Sequence, residues 1–337
     1  MNYFASVTIN RCHLRALVDL SAQIAGRRFP FQNVIVSPLV VRNGILPIVS
    51  THKHSCNVMF DSGGFHIQQG QFTLTEVALR IDDIYKNNPW AHRYVIPDVP
   101  IVTQDNSRAA TAKIRANIRQ YRSFPEITNI DRSKLVAVVH GRTTVEIARC
   151  AAAAAKSGVG MLGFGAFSTS GSKSNVNTLT GGSCILLAEL SKCAHRLGLP
   201  FHVFGIGNPS AIPLLMHFGA ASCDSAGWIR SAGFGNVFLP FIGAVNITGA
   251  ASTRRTVGAR EFSQLKRISA HDCVYCSDLA TLKARWHYRA LHNYEVALET
   301  ISVVSKTGIE AALAKLDTLN PRLGKLSARF LDTTEPT

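Results

Sequence analysis

A short segment rich in cysteine and histidine offers the ligands of a metal site. His271, Cys273 and Cys276 lie close together and His292 follows on a predicted helix, which gives the pattern H-x-C-x2-C-x15-H. Zinc prefers four nitrogen and sulfur ligands in a tetrahedron, and such a segment with one ligand from a following helix can supply them. His287 is an alternative to His292 as the fourth ligand. Four protein ligands leave no open coordination position, so we expect a zinc ion with a structural role.

Three aspartates, Asp61, Asp98 and Asp224, each follow a predicted buried strand. One aspartate at such a position can attack the anomeric carbon of a sugar, and a second can move a proton on the departing or arriving base. A third can accept hydrogen bonds from the edge of a guanine. The residues alone do not say which aspartate takes which role. For a single one of them, a helix cap or an ion pair to an arginine such as Arg230 is the more ordinary explanation.

The elements that must position these residues alternate between strands and helices. A capping-box pattern at Thr143 and Glu146 begins an alanine-rich helix that Gly158 ends. Further helices are predicted over residues 183–197, 210–218, 291–305 and 308–319. Strands are predicted over residues 33–36, 57–60, 93–96, 135–139, 160–164, 201–204 and 220–223. This alternation predicts a parallel sheet with crossover helices, and both a doubly wound sheet and a (β/α)8 barrel fit it.

The positions of the chemically distinctive residues favour the barrel. Asp61, Asp98, His140, Gly165 and Asp224 each come just after a different predicted strand. Barrel enzymes build their sites from this carboxyl-terminal face, whereas each residue alone could be an ordinary turn former. We therefore predict an α/β fold, a (β/α)8 TIM barrel with a zinc-binding subdomain and a helical C-terminal segment. Residues 1–260 would form the barrel core, and residues 261–337 the zinc-binding subdomain and helices packed on it.

Positive charge dominates the chain, with 36 Lys and Arg against 21 Asp and Glu and a formal net charge of +15. This excess predicts a polyanionic partner, a nucleic acid or an anionic membrane surface, although a basic enzyme of another kind would show it too. Arg108, Arg115, Arg119 and Arg122 fall on one side of a predicted helix. Such a stripe is a solvated face by default, and it could also contact phosphates.

Other motifs argue against several classes of protein. The glycine-rich segments GIGNPS, GFGAFS and GFGNV do not meet the dinucleotide-binding pattern, and the phosphate-loop pattern is missing. No apolar run is long enough to cross a bilayer, and the N-terminus lacks the layout of a signal peptide. We therefore expect no redox cofactor, no membrane partner and a cytoplasmic location in a bacterium or a phage-infected cell, with reduced thiols.

Taken in chain order, these segments resemble the tRNA-guanine transglycosylase superfamily. FDSGGF at residues 60–65 is similar to the family's DSGGFQ signature, and VVHG at residues 138–141 resembles its VQGG segment. GFGAFS at residues 163–168 resembles IGGLAVG, and residues 205–230 resemble a G-x-G-x-P turn, a helix and FDCVLPTR. The Cys/His segment occupies the place of the family's zinc ligands. The match covers about residues 55–295.

The resemblance implies a barrel enzyme that exchanges a guanine in a nucleic acid for a 7-deazaguanine. Asp224 would be the nucleophile that attacks C1′, Asp61 the general acid and base, and Asp98 the residue that recognises the base. Further substrate-binding positions are implied at Ser62, Gly63, His140, Gly141 and Gly165.

Several departures from the family pattern indicate a divergent branch. His140 stands where the family usually has glutamine, Arg142 replaces a glycine and His271 replaces a zinc cysteine. VIPDVP and CDSAGW resemble the DpdA-type DNA-guanine transglycosylases of bacteria and phages, which implies DNA as the partner and a base such as 7-cyano-7-deazaguanine. The alternatives are a transglycosylase acting on tRNA and a non-catalytic nucleic-acid-binding subunit. A homodimer or a helper protein stays open.

Overall fold

The structure is a computed structural model that describes residues 1–39, 44–165, 167–170, 176–249 and 255–331, and the statements below refer to these residues. Ala166, which belongs to the GFGAFS segment, lies outside them. None of the helices in this part of the chain combines the length and the hydropathy needed to cross a bilayer.

Eight parallel strands close into a barrel at the centre of the fold, which confirms the predicted (β/α)8 architecture. All the described strands of the chain, inside and outside the barrel, are β1 (Asn2–Ser6), β2 (Asn33–Val36), β3 (Asn57–Phe60), β4 (Arg93–Val95), β5 (Leu135–Val139), β6 (Met161–Phe164), β7 (Ser168–Ser170), β8 (Val176–Thr178), β9 (Phe201–Val203), β10 (Ser222–Ser225), β11 (Asn236–Leu239) and β12 (Gly243–Asn246). The order around the barrel is β1-β10-β9-β6-β5-β4-β3-β2, and β1 pairs with both β10 and β2. The other four described strands form the antiparallel hairpins β7-β8 and β11-β12.

Helices surround the barrel and continue the chain beyond it. They are α1 (Arg11–Ala25), α2 (Ile45–Thr51), α3 (Gly64–Gln68), α4 (Leu74–Asn87), α5 (Ser107–Ile127), α6 (Thr144–Lys156), α7 (Gly181–Leu197), α8 (Ile212–His217), α9 (Gly227–Gly233), α10 (Ala259–Ser269), α11 (Leu279–Ala284), α12 (Trp286–Thr307), α13 (Ile309–Leu319) and α14 (Pro321–Leu331). The predicted capping box at Thr143 and Glu146 is present at the start of α6, and Gly158 follows its end at a φ of 78°. Local sequence signals therefore set these helix ends.

Two sequence-based predictions about the barrel strands were wrong. The eighth strand, β1, was missed because its apolar core is only Tyr3, Phe4 and Ala5, too short a run to stand out. The last barrel strand covers Ser222–Ser225 and not residues 220–223. The N–H of Ala220 is used by the turn that ends α8, where it donates to the Leu215 carbonyl. Asp224 therefore lies inside β10 and not beyond its end.

Alternation along the strands decides which side chains enter the barrel. One cluster of buried side chains fills the interior, and its members come from six different strands: Phe4, Ile35, Met59, Val95, Val136, Val138 and Met161. Because successive strand residues point to opposite faces, the residue two positions further on points inward too. Ser6, Asp61 and His140 stand two positions after Phe4, Met59 and Val138. The alternation of side chains along the strands thus places these polar residues inside the barrel at the carboxyl ends of its strands.

The chain after β10 adds a smaller layer to the side of the barrel. Helix α12 packs against α9, β11 and α1. A second apolar core lies between the β11-β12 hairpin and the Cys/His segment and consists of Val237, Leu239, Ile247, Val257, Phe262, Cys276 and Leu282. This core takes residues from both sides of the boundary predicted at residue 260, and the division into two domains stays a prediction.

Gly160, just before β6, tests how tightly the barrel connections are packed. A Cβ at this position would lie 1.8 Å from the carbonyl oxygen of Ser133, so the backbone must move to admit even alanine. We expect Gly160→Ala to lower the free energy of unfolding by about 2–3 kcal/mol. Gly181→Ala is the matched control because its Cβ would meet nothing within 4 Å, and alanine should be neutral or slightly stabilising there. Chemical unfolding of both variants measures the difference, and equal stability would contradict this packing.

Candidate active site and metal centre

The carboxylate of Asp224 is buried and is held by three donors among the described residues. The Gly205 N–H donates to Oδ1 at 2.8 Å, and the Ser6 hydroxyl donates to Oδ2 at 2.6 Å. Nε2 of His202 lies 3.2 Å from Oδ1. Gly205 has a φ of 71°, a conformation that favours glycine and that turns the chain after β9. Three strand ends, those of β1, β9 and β10, thus fix the direction of one carboxylate.

Asp98 and His140 form a second buried group with Ser62. Nε2 of His140 lies 2.7 Å from Oδ2 of Asp98, and the Ser62 hydroxyl donates to Oδ1 at 2.9 Å. Nδ1 of His140 is buried and has no hydrogen-bond partner among the described residues. A Cβ added at Gly165 would lie 3.3 Å from this Nδ1 and 2.7 Å from Cε1, so any residue other than glycine would clash with the His140 ring. The hydrogen-bonding capacity of this nitrogen is therefore unused by the described residues.

Among the described carboxyl groups, Asp61 stands out by its strongly raised pKa. Burial raises its pKa to about 7, and the negative charges of Asp98 and Asp224 add to this effect. The Gly63 N–H donates to Oδ2 at 3.3 Å and opposes it. An aspartate that titrates near neutral pH can both give and take a proton under ordinary conditions. Asp61 is therefore suited to general acid and base catalysis.

Asp98 and Asp224 thus lie close enough to Asp61 for their charges to affect its pKa, Ser62, Gly63 and His140 make hydrogen-bond contacts with these carboxyl groups, and Gly165 packs against His140. Gly141 differs from these residues because it lies against the start of α6, where a Cβ would be 2.9 Å from the backbone nitrogen of Ile147. Its need for glycine is explained by helix packing.

Sequence reasoning missed two residues that touch Asp224. Ser6 ends β1, the strand that was not predicted, so its position beside Asp224 could not be predicted either. His202 lies inside β9, and its side chain is fully buried. A histidine at an inward-facing position of an otherwise apolar strand was the signal that could have found it.

Two surface cavities lie away from the aspartates. One of about 350 Å³ is lined by residues that include Asn2, Tyr3 and Asn33, which begin β1 and β2, so it opens at the amino end of the barrel. The other, of about 460 Å³, lies along the first turns of α5, where Arg108 and Arg115 line it.

The predicted basic stripe is present on α5. Its arginines are exposed, and no carboxylate of the described residues lies within ion-pair distance of Arg108, Arg115, Arg119 or Arg122. The helix starts after the loop that carries Asp98, so the stripe begins at the end of the barrel where the aspartates lie.

The four predicted metal ligands come together and could hold a metal ion. The ligand atoms of His271, Cys273, Cys276 and His292 all lie within 4.8 Å of one another. The two sulfur atoms are 3.5 Å apart, and the facing nitrogens, Nε2 of His271 and Nδ1 of His292, are 3.4 Å apart. His287, the alternative ligand, instead stacks on Trp286 with ring centroids 3.8 Å apart.

Each histidine of this cluster is oriented by a contact on its other ring nitrogen. Nδ1 of His271 meets Oε2 of Glu299, and Nε2 of His292 lies 2.8 Å from the carbonyl oxygen of Phe238 in β11. Such contacts fix the tautomer of a metal-binding histidine and raise its affinity as a ligand. Glu299 lies on the same face of α12 as His292, about two turns further along the helix, and was not predicted as part of the site.

No known family model matches the chain, and no curated protein matches its sequence. The assignment of a function therefore depends on the residues of the site and on the resemblance of their motifs.

Replacing Asp61 by asparagine should stabilise the fold at high pH. The pKa of Asp61 is raised above the ordinary value of about 4, so the folded state loses stability as the pH rises from about 4 through about 7. Asparagine removes this loss, and we expect Asp61→Asn to be more stable by about 1–4 kcal/mol above pH 7 and to differ little near pH 4. Unfolding curves at several pH values measure this. Asp19→Asn, at an exposed position of α1, is the control; a pH-independent difference for Asp61→Asn would contradict the raised pKa.

The Glu299 contact should govern how firmly the metal is held. We expect Glu299→Gln to weaken metal affinity by about 10- to 100-fold because the glutamine carries no charge to polarise His271. Competition with a coloured chelator, together with the metal content of the purified protein, measures the change. Glu310→Gln, at an exposed position of α13, serves as the control and Cys276→Ser as the variant that loses a ligand. Unchanged retention in Glu299→Gln would show that the carboxylate has no part in metal binding.

Proposed function

We propose that this protein is a DNA-guanine transglycosylase that exchanges guanine for a 7-deazaguanine by double displacement. The observation that carries the proposal is the grouping of two buried aspartates, Asp98 and Asp224, with the partly buried Asp61 at the carboxyl end of the barrel, each in different surroundings. Asp224 is held by donors, Asp61 has a pKa near 7, and Asp98 is paired with His140. Carboxyl groups in unlike environments are what a reaction with a nucleophile and a separate proton carrier requires.

In the first half of the proposed reaction, Asp224 displaces guanine. A carboxylate lone pair of Asp224 forms a bond to C1′ of the nucleotide, the bond between C1′ and the base nitrogen breaks, and its electron pair leaves with the base. The proton that neutralises the departing base comes from the carboxyl group of Asp61. A covalent glycosyl-enzyme intermediate and an ionised Asp61 remain.

In the second half, the incoming 7-deazaguanine reverses these steps. Asp61 takes the proton from its ring nitrogen, the nitrogen attacks C1′, and the bond to Asp224 breaks with return of the electron pair to the carboxylate. Two displacements at one carbon retain the anomeric configuration.

Asp98, Ser62 and His140 are proposed to recognise the base. Carboxylate oxygens accept hydrogen bonds from base amino groups, and each oxygen of Asp98 keeps one lone pair after its contact with Ser62 or His140. His140, whose Nδ1 has no hydrogen-bond partner among the described residues, stands where the resemblance places a base-binding glutamine, and Gly165 packs closely against its ring. This difference from glutamine is expected to alter the choice of base.

The positive charge supports a nucleic-acid substrate. The net charge of +15 and the unpaired arginine stripe on α5 suit contacts to phosphates, and the target nucleotide must leave its stack to reach the aspartates. DNA is preferred to tRNA because VIPDVP and CDSAGW resemble the DNA-modifying branch.

The bound metal is proposed to be zinc with a structural role. A regular tetrahedron with zinc's usual bond lengths has edges of about 3.8 Å between sulfurs, 3.6 Å between sulfur and nitrogen and 3.3 Å between nitrogens. Four of the six ligand-to-ligand distances, at 3.5, 3.4, 3.6 and 3.4 Å, are close to these values, and all six are within 4.8 Å. The ion would tie the segment with His271, Cys273 and Cys276 to α12 through His292, whose other ring nitrogen contacts Phe238 in β11.

Base exchange into DNA tests the proposed function. Double-stranded and single-stranded DNA and tRNA are each incubated with the protein and 7-cyano-7-deazaguanine, and the nucleosides are then analysed by mass spectrometry. We expect the modified nucleoside in DNA only, and its loss by at least about a thousandfold in Asp224→Ala, because the nucleophile is removed. Asp83→Ala, at an exposed position of α4, is the control. If tRNA is modified and DNA is not, tRNA is the substrate. Full activity of Asp224→Ala would refute the assignment of Asp224 as the nucleophile.

A further inference from the structure

We propose that His202 is a positioning residue for Asp224 and that the attacking atom of Asp224 is Oδ2. This inference rests on the proposed transglycosylase function and adds to it a residue and an atom. It starts from the contacts of one buried histidine that has no part in the reaction steps given above.

The donors around Asp224 are divided unequally between its two oxygens. Oδ1 receives the Gly205 N–H at 2.8 Å and faces Nε2 of His202 at 3.2 Å, whereas Oδ2 receives only the Ser6 hydroxyl among the described residues. A carboxylate oxygen has two lone pairs in its plane. Both lone pairs of Oδ1 are therefore engaged, and Oδ2 keeps one that can form the bond to C1′.

The hydrogen on His202 is placed by its two neighbours. An ionised carboxylate is only an acceptor, so Nε2 must carry the hydrogen that points at Asp224. The Ser222 Oγ lies 2.8 Å from Nδ1, and its hydroxyl can donate to that nitrogen. Asp224 and Ser222 thus select one tautomer of His202.

Packing inside the barrel keeps the ring of His202 in this orientation. The ring is fully buried and makes edge contacts with Phe4 and Phe204, whose ring centroids are 5.7 and 4.4 Å away. In the register of β9 and β10, His202 stands beside Ser222. The ring therefore aims Nε2–H at Asp224 before any substrate arrives.

The arrangement has a defined effect on both half-reactions. When the Oδ2 lone pair bonds to C1′, the glycosidic bond breaks and the base takes the proton of Asp61, while Oδ1 becomes the carbonyl oxygen of the ester. When the incoming base attacks, the C1′–Oδ2 bond breaks and its electron pair returns to a carboxylate that His202 and Gly205 already stabilise. His202 should thus affect the rate of chemistry and leave substrate binding unchanged.

Two amide substitutions at His202 test this geometry. The side-chain nitrogen of glutamine is three bonds from Cβ, as Nε2 of histidine is, whereas that of asparagine is only two bonds away. Adduct formation is measured in single turnovers with a guanine-containing DNA oligonucleotide and no incoming base. We expect His202→Gln to stay within about threefold of the wild type and His202→Asn to be about 10- to 100-fold slower with unchanged KM. His195→Asn, at an exposed position of α7, is the control.

The outcomes separate this inference from the function on which it rests. A wild-type protein that forms no adduct overturns the proposed function and this inference with it. A wild-type adduct with equal rates for the two His202 variants overturns only the role of His202. If His202→Asn does not fold, Ser222→Ala decides, because it leaves the ring in place and removes only the hydroxyl at Nδ1. It is expected to slow adduct formation by about three- to tenfold, and an unchanged rate contradicts the proposal.

Discussion

Asp61, Asp98 and Asp224 bring three carboxyl groups to one end of the barrel, where burial and the negative charges of Asp98 and Asp224 disfavour ionisation of Asp61. The surrounding structure provides for this. Ser6, Gly205 and His202 hold Asp224, His140 and Ser62 hold Asp98, and burial raises the pKa of Asp61 to about 7. This end of the barrel therefore contains a carboxylate held by donors, a carboxylate paired with histidine and a carboxyl group with a pKa near 7, and the chemistry proposed for the protein needs these three states together.

The barrel was predictable from the sequence because its strands, and the polar residues that follow them, are regularly spaced. Short apolar runs end in Asp61, His140 and Gly165, and the closed barrel places the ends of parallel strands in one ring. The cluster that could hold a metal was predictable for a similar reason, since His271, Cys273 and Cys276 are close in the chain and His292 follows on α12. The spacing of residues along the chain was enough to predict positions that depend on the geometry of a single helix or strand, or on the geometry shared by all barrels of this class.

The missed features depend on neighbours that are distant in the chain. Ser6 reaches Asp224 only because β1 closes the barrel beside β10, and the polar role of His202 appears only when β9 and β10 are placed in register. Glu299 joins the metal cluster through a helix that packs on the barrel. No pattern within a single segment contains these pairings, although His202 does stand out in the sequence as a histidine in an otherwise apolar strand.

The most direct measurement of the central claim is the identity of the residue that carries a covalent DNA adduct. The protein is incubated with a guanine-containing oligonucleotide without an incoming base, the adduct is trapped by denaturation and digested with nuclease and protease, and the peptides are sequenced by mass spectrometry. The account predicts a deoxyribose-containing remnant on Asp224 alone and its release when a 7-deazaguanine is added before denaturation. An adduct on another residue, or none with DNA or tRNA, would contradict it.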